Sequence, residues 1–533
     1  MKKIVFVWFF FCFIVWSSLA PIPYAHGEQA SNINTAVSEN EYLTYTNLMD
    51  GYQINYPSYM KIDQSLPALR TIISDDRTRI EIYYDDFSDS ASVSSVYSYI
   101  SYANLFTNNT KYHTVTDDRY ITINDKTVHL LGWYRNKLPA IPQDKNYYLC
   151  AEIIKNNQEV YTIFFKSSHP IIDYMEILNS FTMCEPSLPA EAKVKFAPVP
   201  KEWNEETHQF YQSYFIDNPG LNWGIFEYTA PEDDTVLNKI ETTLNYHFPL
   251  LLKYQMLDNP FPSKALQNAY EDNRYVELTL QTFWLKLSES RNEEMVYEIL
   301  EGKYDLFFKN YAQKLKTFGH PVLFRLNNEM NGDWCRYSAY YTSKDPEIFK
   351  AMWRHVYNIF SAEGVDNVIW VWNPNDISFP EFKFNHALAY YPGDEYVDII
   401  GLTGYNTGTY YAGEKWREFG QIYDPLYRTY SSYFSHPFII TEFGSNSVGG
   451  DKAAWVKNMF TEINKYPQIK AAIWWNGIDL DQNKQPARVY RLDESSEILA
   501  AFRNGLAKAN KGAVDQAPIL KPVKTVPLNS DGD

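Results

Sequence analysis

The chain has 533 residues, with 48 Lys and Arg against 65 Asp and Glu, a net charge of −17, and an aromatic content of 17 %. A chain of this length can bury a large core, and its acidic balance without a basic cluster excludes a phosphate-tracking surface, so nucleic acid is not expected as a partner. At 45 % hydrophobic residues the composition is that of a soluble globular protein, neither disordered nor membrane-embedded once the N-terminus is set aside.

The first element is a run of thirteen apolar residues, Ile4 to Trp16, preceded by Lys2 and Lys3 and followed by Ser17, Ser18 and an Ala25-His26-Gly27 sequence. Thirteen apolar residues fall short of the roughly 20 needed to cross a bilayer, so the pattern reads as a secretory signal peptide over residues 1–27 and predicts a secreted, extracellular protein with no stable membrane span in its mature form. Cys12 lies in this segment; of the others, Cys150 and Cys184 share the N-terminal region and are candidates to pair, whereas Cys335 falls in a candidate active-site loop. No Cys/His spacing suits zinc. The stretch from Asp479 to Asn483 begins like a calcium loop but has Lys484 where a Gly is needed and Tyr490 where the bidentate Glu belongs. No metal and no cofactor are therefore expected.

Residues 28–185 read as an α+β domain. Alternating segments at Tyr52 to Tyr56, Thr78 to Tyr84, Tyr120 to Ile123, Val128 to Tyr134, Tyr147 to Ile154 and Val160 to Phe165 predict an antiparallel sheet, with helical stretches at Ser94 to Leu105 and Ile171 to Phe181 covering one face. Pro186, Pro189, Pro198 and Pro200 mark residues 186–204 as a linker.

From residue 205 to 507 the pattern changes to eight near-continuous apolar runs separated by helix-length amphipathic segments: Trp223 to Phe226, Phe248 to Lys253, Tyr275 to Gln281, Val322 to Leu326, Val368 to Trp372, Val397 to Leu402, Phe438 to Thr441 and Ile469 to Trp475. Strands buried on both faces and alternating with helices form parallel sheets, and eight βα units in this length match a (β/α)8 TIM barrel. An open doubly wound sheet gives no reason for eight repeats and no Gly-rich phosphate loop follows the first run. Residues 508–533 have the composition of a disordered tail.

In such a barrel the C-terminal strand ends face the active site. Glu277 and Asp398 lie at strand beginnings and are discounted; Glu329 and Glu442 end the fourth and seventh runs, which stand across the mouth from each other. Two carboxylates about 5 to 5.5 Å apart equip a retaining glycosidase, one protonated and one ionised. Arg325, one pleat behind Glu329, reads as a buried charge that pairs with a barrel carboxylate and orients the site. Asn373 and Asn375 end the fifth run, where they bind sugar hydroxyls or shape the loop. Trp474 and Trp475 are adjacent on one strand, so only one can face the lumen.

The run Arg325 to Trp334, Arg-Leu-Asn-Asn-Glu-Met-Asn-Gly-Asp-Trp, resembles the acid/base motif of glycoside hydrolase family 26, the β-mannanase family of clan A, and so do Ile369 to Asn375, Gly401 to Asn406 and Thr441 to Gly444. The resemblance covers about residues 205–505 and does not reach the N-terminal domain. It implies that Glu329 is the general acid/base and Glu442 the nucleophile, that Tyr405 hydrogen-bonds the nucleophile, that Trp474 floors the subsite holding the attacked sugar with Trp334 lining the same cleft, and that Asn328 contacts the sugar 2-OH. Asn328 stands where family members usually carry His. The expectation is a monomeric, secreted, retaining glycoside hydrolase whose partner is a polysaccharide, mannan or another β-glycan. It is read first as an endo-β-1,4-mannanase; a β-1,3-1,4-glucanase or xylanase of the same fold, or a non-catalytic carbohydrate-binding surface protein, are the alternatives.

Overall fold

A computed structural model describes residues 41–90, 94–187 and 194–510. The signal peptide expected over residues 1–27 and nearly all of the tail expected over 508–533 lie outside the described residues. The N-terminal part contains ten strands: β1 (Tyr42–Asn47), β2 (Tyr52–Pro57), β3 (Lys61–Asp63), β4 (Thr71–Ser74), β5 (Thr78–Asp86), β6 (Thr114–Ile123), β7 (Lys126–Tyr134), β8 (Tyr147–Ile154), β9 (Glu159–Ser167) and β10 (Thr182–Met183). Seven form an antiparallel sheet in the order β3-β4-β5-β9-β8-β7-β6, and β1-β2-β10 form a second, small sheet.

The expectation that helices cover one face is corrected. The helix Val96–Ala103 buries Val96, Ile100 and Ala103 against Trp133, Tyr148 and Phe164. The helix Met175–Ser180 buries Ile177 and Leu178 with Ile80, Leu149 and Phe165 on the opposite face, where Tyr52 and Ile54 of β2 join them. The physical reason is that β8 and β9 are buried along nearly their whole length, so both faces of the sheet require a cover. Cys150 lies on the first face, Cys184 sits next to Gly51 beyond the second, and both, like Cys335, are free thiols, so the candidate pairing does not form.

The eight apolar runs are the eight strands of a closed parallel barrel: β11 (Asn222–Phe226), β12 (Leu250–Met256), β13 (Tyr275–Gln281), β14 (Val322–Leu326), β15 (Val368–Trp372), β16 (Ile399–Asn406), β17 (Phe438–Ser445) and β18 (Ile469–Trp475). Alternation along each strand sorts the side chains. Leu250, Leu252, Leu323, Ile369, Ile399 and Ile473 fill the lower lumen, which Phe210 and Phe215 close from below. Val276, Leu278, Val322 and Phe324 point outward to the helices. The proline-rich segment lies along the barrel wall: Phe196 packs on Tyr391 and Phe434 at centroid distances of 4.8 and 5.3 Å, and the Trp203 indole N–H donates to the Val368 carbonyl at 2.9 Å. The first face of the N-terminal sheet continues into the barrel, since Phe382 and Phe384 from the loop after β15 belong to the same apolar cluster as Trp133 and Phe164. Among the described residues no helix is long and apolar enough to cross a membrane.

Candidate active site

Above the apolar layers the lumen turns polar, and β13 shows how. Its sequence Tyr-Val-Glu-Leu-Thr-Leu-Gln alternates, so that Val276, Leu278 and Leu280 face the helices while Glu277, Thr279 and Gln281 rise up the inside. Next to it, β14 turns Arg325 inward above Leu323. The guanidinium is wholly buried: Nη1 lies 2.6 Å from Glu442 Oε1 and donates to Asn373 Oδ1 at 2.8 Å, while Nε donates to Thr279 Oγ1 at 2.7 Å and lies 3.0 Å from Glu277 Oε1. Burial opposes its charge, but the carboxylates of Glu442 and Glu277 outweigh that and raise its pKa. One cation serves two carboxyls, and burial pushes Glu277 up to about 8 despite Arg325 beside it.

Glu442 is the fifth residue of β17 and only slightly exposed. Besides Arg325, it accepts the Tyr405 hydroxyl on Oε2 at 2.9 Å and the Asn328 amide on Oε1 at 3.3 Å. The Asn328 amide is itself oriented by Gln281, whose Nε2 donates to its Oδ1 at 2.9 Å, and its backbone carbonyl is held by the Tyr337 hydroxyl at 2.6 Å. Burial and the neighbouring Glu442 charge raise the Tyr405 hydroxyl well above its usual range, so it stays a donor.

Glu329 stands three residues beyond β14, in a left-handed backbone conformation at φ 54°, with Asn327 at φ 56°. Such φ values in residues other than Gly are sparsely populated and collect at functional sites. The turn is pinned by the Glu329 N–H donating to the Asn373 carbonyl at 2.8 Å. Trp334 folds back over it, and its indole N–H donates to Glu329 Oε2 at 2.9 Å. This close return needs Gly332, where a Cβ would lie 2.5 Å from the Trp334 ring. Burial, followed by the charge of Glu442, pushes Glu329 up to about 8, against the opposing pull of Trp334 and Arg325. The mouth thus holds one carboxyl that keeps its proton at neutral pH and a second bound by a guanidinium, a phenol and an amide, the division of labour that acid-assisted nucleophilic displacement needs.

The structure brings Glu329, Glu442, Asn328, Tyr405, Trp334 and Arg325 together, but not all of the expected residues in the expected roles. Trp474 is fully buried among Phe443, Trp455 and Phe502, and its indole N–H donates to the Tyr490 carbonyl at 2.8 Å, so it does not floor a subsite. The strand's alternation gives the mouth to Trp475, which stacks on Phe226 at 5.4 Å and meets the Tyr405 ring edge-on at 6.1 Å. Asn373 is likewise buried and committed to Arg325 and Thr403, so it supports the site without reaching a sugar. Glu277, discounted as a strand-start residue, lies in the charged layer, as does Tyr254, whose ring packs 5.6 Å from the Arg325 guanidinium. The polar alternation of β13 was the readable signal for Glu277; no motif marks Tyr254. Around the rim, Tyr228, Leu285, Trp334, Phe379, Tyr410 and Leu480 are exposed, each from the segment that follows a different barrel strand. Aromatic and aliphatic surface concentrated above a polar mouth is the composition of a small-molecule or polymer-binding cleft. Among the described residues no cluster of His, Cys, Asp and Glu could hold a metal ion.

Residues 278–441 match glycosyl hydrolase family 26. The chain is 35 % identical over 213 residues to "Endoglucanase H" of Acetivibrio thermocellus, covering 39 % of this chain and 23 % of that protein. It is 31 % identical over 171 residues to "Mannan endo-1,4-beta-mannosidase" of Bacillus subtilis, covering 31 % of this chain and 41 % of the relative. The chain thus spans less than half the length of these two relatives. Among solved structures, the Cellulomonas fimi endo-beta-1,4-mannanase double mutant superposes with a TM-score of 0.46 at 16 % identity, over 60 % of this chain and 80 % of that one.

Proposed function

We propose that this chain, whose residues 278–441 match glycosyl hydrolase family 26, is a retaining glycoside hydrolase of that family that cleaves β-linked polysaccharide, mannan first. The observation that carries the reading is the pair of unlike carboxyls: Glu329 raised to about 8 under Trp334, and Glu442 in contact with Arg325, Tyr405 and Asn328. In the first step Glu442 attacks the anomeric carbon while Glu329 gives its proton to the departing oxygen. In the second Glu329, now a carboxylate, takes a proton from water, which displaces Glu442 and restores both groups. Asn328 donates to Glu442 and would contact the hydroxyl next to the anomeric carbon. Trp475 beside Tyr405 and Trp334 beside Glu329 offer aromatic surface for a sugar ring. The amide at position 328, and the name of the Acetivibrio thermocellus relative, favour a second reading in which the polymer is a β-glucan. The apolar run behind Lys2 and Lys3 supports export, so that a monomeric enzyme would meet its polymer outside the cell.

The test is product analysis on mannan, mixed-linkage β-glucan and xylan in parallel, with Glu329→Gln and Glu442→Gln as controls. Release of short oligosaccharides from mannan by the wild type alone supports the first reading, and release from the glucan only supports the second. Equal rates for wild type and either variant would remove both.

A further inference from the structure

We propose that the N-terminal module is an outer part of the catalytic apparatus, in which Tyr102 acts as a positioning residue for Glu329 through Asp333 and Trp334; this rests on the acid/base reading of Glu329 above. Residues 330–345, which link Glu329 to the next barrel helix, contain no helix or strand, and Ser343 and Lys344 sit in the left-handed region at φ 60° and 53°. The segment is a chain of turns closed by its own backbone hydrogen bonds and tied to the barrel through Tyr337, Tyr390 and Asn385, and the module adds contacts at both of its ends. At its far end Lys344 Nζ lies 2.7 Å from Glu152 Oε1, Asp345 Oδ1 lies 2.7 Å from Lys166 Nζ, and Ser343 Oγ lies 3.0 Å from His113 Nε2. At its near end Tyr102, on the helix Val96–Ala103, donates its hydroxyl to the Asp333 carboxylate and packs on the Tyr340 ring at 5.0 Å. One turn earlier on that helix, Tyr99 accepts the Glu381 N–H and stacks on Phe382 at 4.6 Å. That second contact fixes the loop bearing Phe379, whose ring lies 5.5 Å from Trp334.

Trp334 is 46 % exposed; besides Glu329 its ring meets Gly332 and Phe379, and the residue before it, Asp333, is held by two hydroxyls, Tyr341 on its carbonyl and Tyr102 on its carboxylate. Its N–H occupies Glu329 Oε2, which leaves Oε1 to carry the acid proton toward the leaving oxygen. If Asp333 is released, the indole leaves Oε2, the carboxyl can rotate, and the proton no longer has a fixed position. Binding of the polymer elsewhere in the cleft is untouched.

The experiment compares kcat/KM for polysaccharide with kcat/KM for 2,4-dinitrophenyl β-mannobioside and β-cellobioside, whose phenolate departs without protonation. Tyr102→Phe is expected to lower the polysaccharide value by about five- to twentyfold while leaving the aryl glycosides within about twofold, with the melting temperature close to wild type. Asp333→Asn, from the barrel side of the same contact, should show the same split. Glu329→Ala is the reference and should show the split at larger size. If Glu329→Ala lowers both substrate classes equally, the acid/base reading itself fails and the proposal with it. If Glu329→Ala splits the two classes but Tyr102→Phe changes neither, or lowers both by one factor, the acid/base reading stands and the positioning role is overturned.

Discussion

Two regions of this molecule bury charge, and they do so in opposite ways. At the seam between the N-terminal sheet and the barrel, cations match or outnumber carboxylates: Glu81 is faced by Arg79, Lys166 and Arg70 at 2.5, 3.0 and 3.5 Å, Glu152 by Lys344 and His129 at 2.7 Å each, and Glu347 by Lys350 and Arg79 at 2.9 and 3.4 Å. Burial works against the ionised form of all three, yet the neighbouring cations prevail and each is held below the ordinary carboxylate range. At the barrel mouth three carboxyls, Glu277, Glu329 and Glu442, have one guanidinium among them, Arg325, which pairs with Glu277 and Glu442 only, and Glu277 and Glu329 rise to about 8. Balanced charge fixes one arrangement of two packed surfaces; a deficit of cations leaves protons in place at neutral pH. The deficit is the part that can do acid chemistry.

The most severe way to test that contrast is to remove the carboxylates one at a time. Glu442→Gln should lower kcat on polysaccharide by at least about a thousandfold, because no other group near the anomeric carbon can form the covalent intermediate. Circular dichroism should report a folded chain, and a variant within tenfold of wild type would place the nucleophile elsewhere. Next in size is the pair of adjacent tryptophans. Trp474→Ala removes a fully buried indole packed on Phe443, Trp455 and Phe502 and should cost about 3–5 kcal/mol in urea unfolding. Trp475→Ala should instead raise KM or lower kcat by about tenfold or more with a smaller loss of stability, since its ring borders the cleft. At the seam, Lys344→Met leaves Glu152 buried with His129 as its remaining close cation and should cost about 3 kcal/mol by the same measurement. A loss below about 1 kcal/mol would mean that the seam's charge balance does not hold the two parts together.

The barrel was legible because its signal is repeated: eight apolar runs each mark a strand, and five coincide with the strand bounds within a residue or two. The two catalytic candidates were legible because each follows such a run. The faces of single residues within a strand were less so. Trp474 and Trp475 differ by one position in a period of two, and neither composition nor neighbours in the sequence says which faces the lumen; the register of β18 against β11, where Trp475 pairs with Phe226, decides it. Glu277 was legible in principle from its alternation with Thr279 and Gln281, but its place near the start of β13 spoke against it. The short strands β1, β3, β4 and β10 carry too few residues or too little burial for alternation to appear. The role of the module was out of reach, because the Tyr102 contact with Asp333 joins residues 231 positions apart.

The smallest expected effect also bears most directly on the charge deficit. A carboxyl with a native pKa of about 8, as at Glu329, takes up protons on folding wherever the pH lies above the unfolded value, which is about 4.3 for glutamate. The folded state therefore binds more protons than the unfolded one between those two values. The favourable contribution of the protonated group is complete below the unfolded pKa and is lost as the pH rises toward 8, above which Glu329 is a partly buried charge without a cation of its own. Replacing Glu329 by Gln removes this dependence, so the variant should be more stable than wild type by about 1–3 kcal/mol at pH 8 and no more stable at pH 4. The same titration sets the activity. Wild-type kcat/KM should fall on the basic side with an apparent pKa near 8, because only protonated Glu329 can assist departure. At the seam the sign is reversed. Glu81, Glu152 and Glu347 are held below their unfolded values, so their contribution is complete above about pH 4.3 and is lost as the pH falls through the native values. Urea unfolding of wild type and Glu329→Gln from pH 4 to pH 9 tests this: two curves that diverge as the pH rises place the deficit at Glu329, whereas parallel curves would mean that Glu329 does not change its proton affinity on folding.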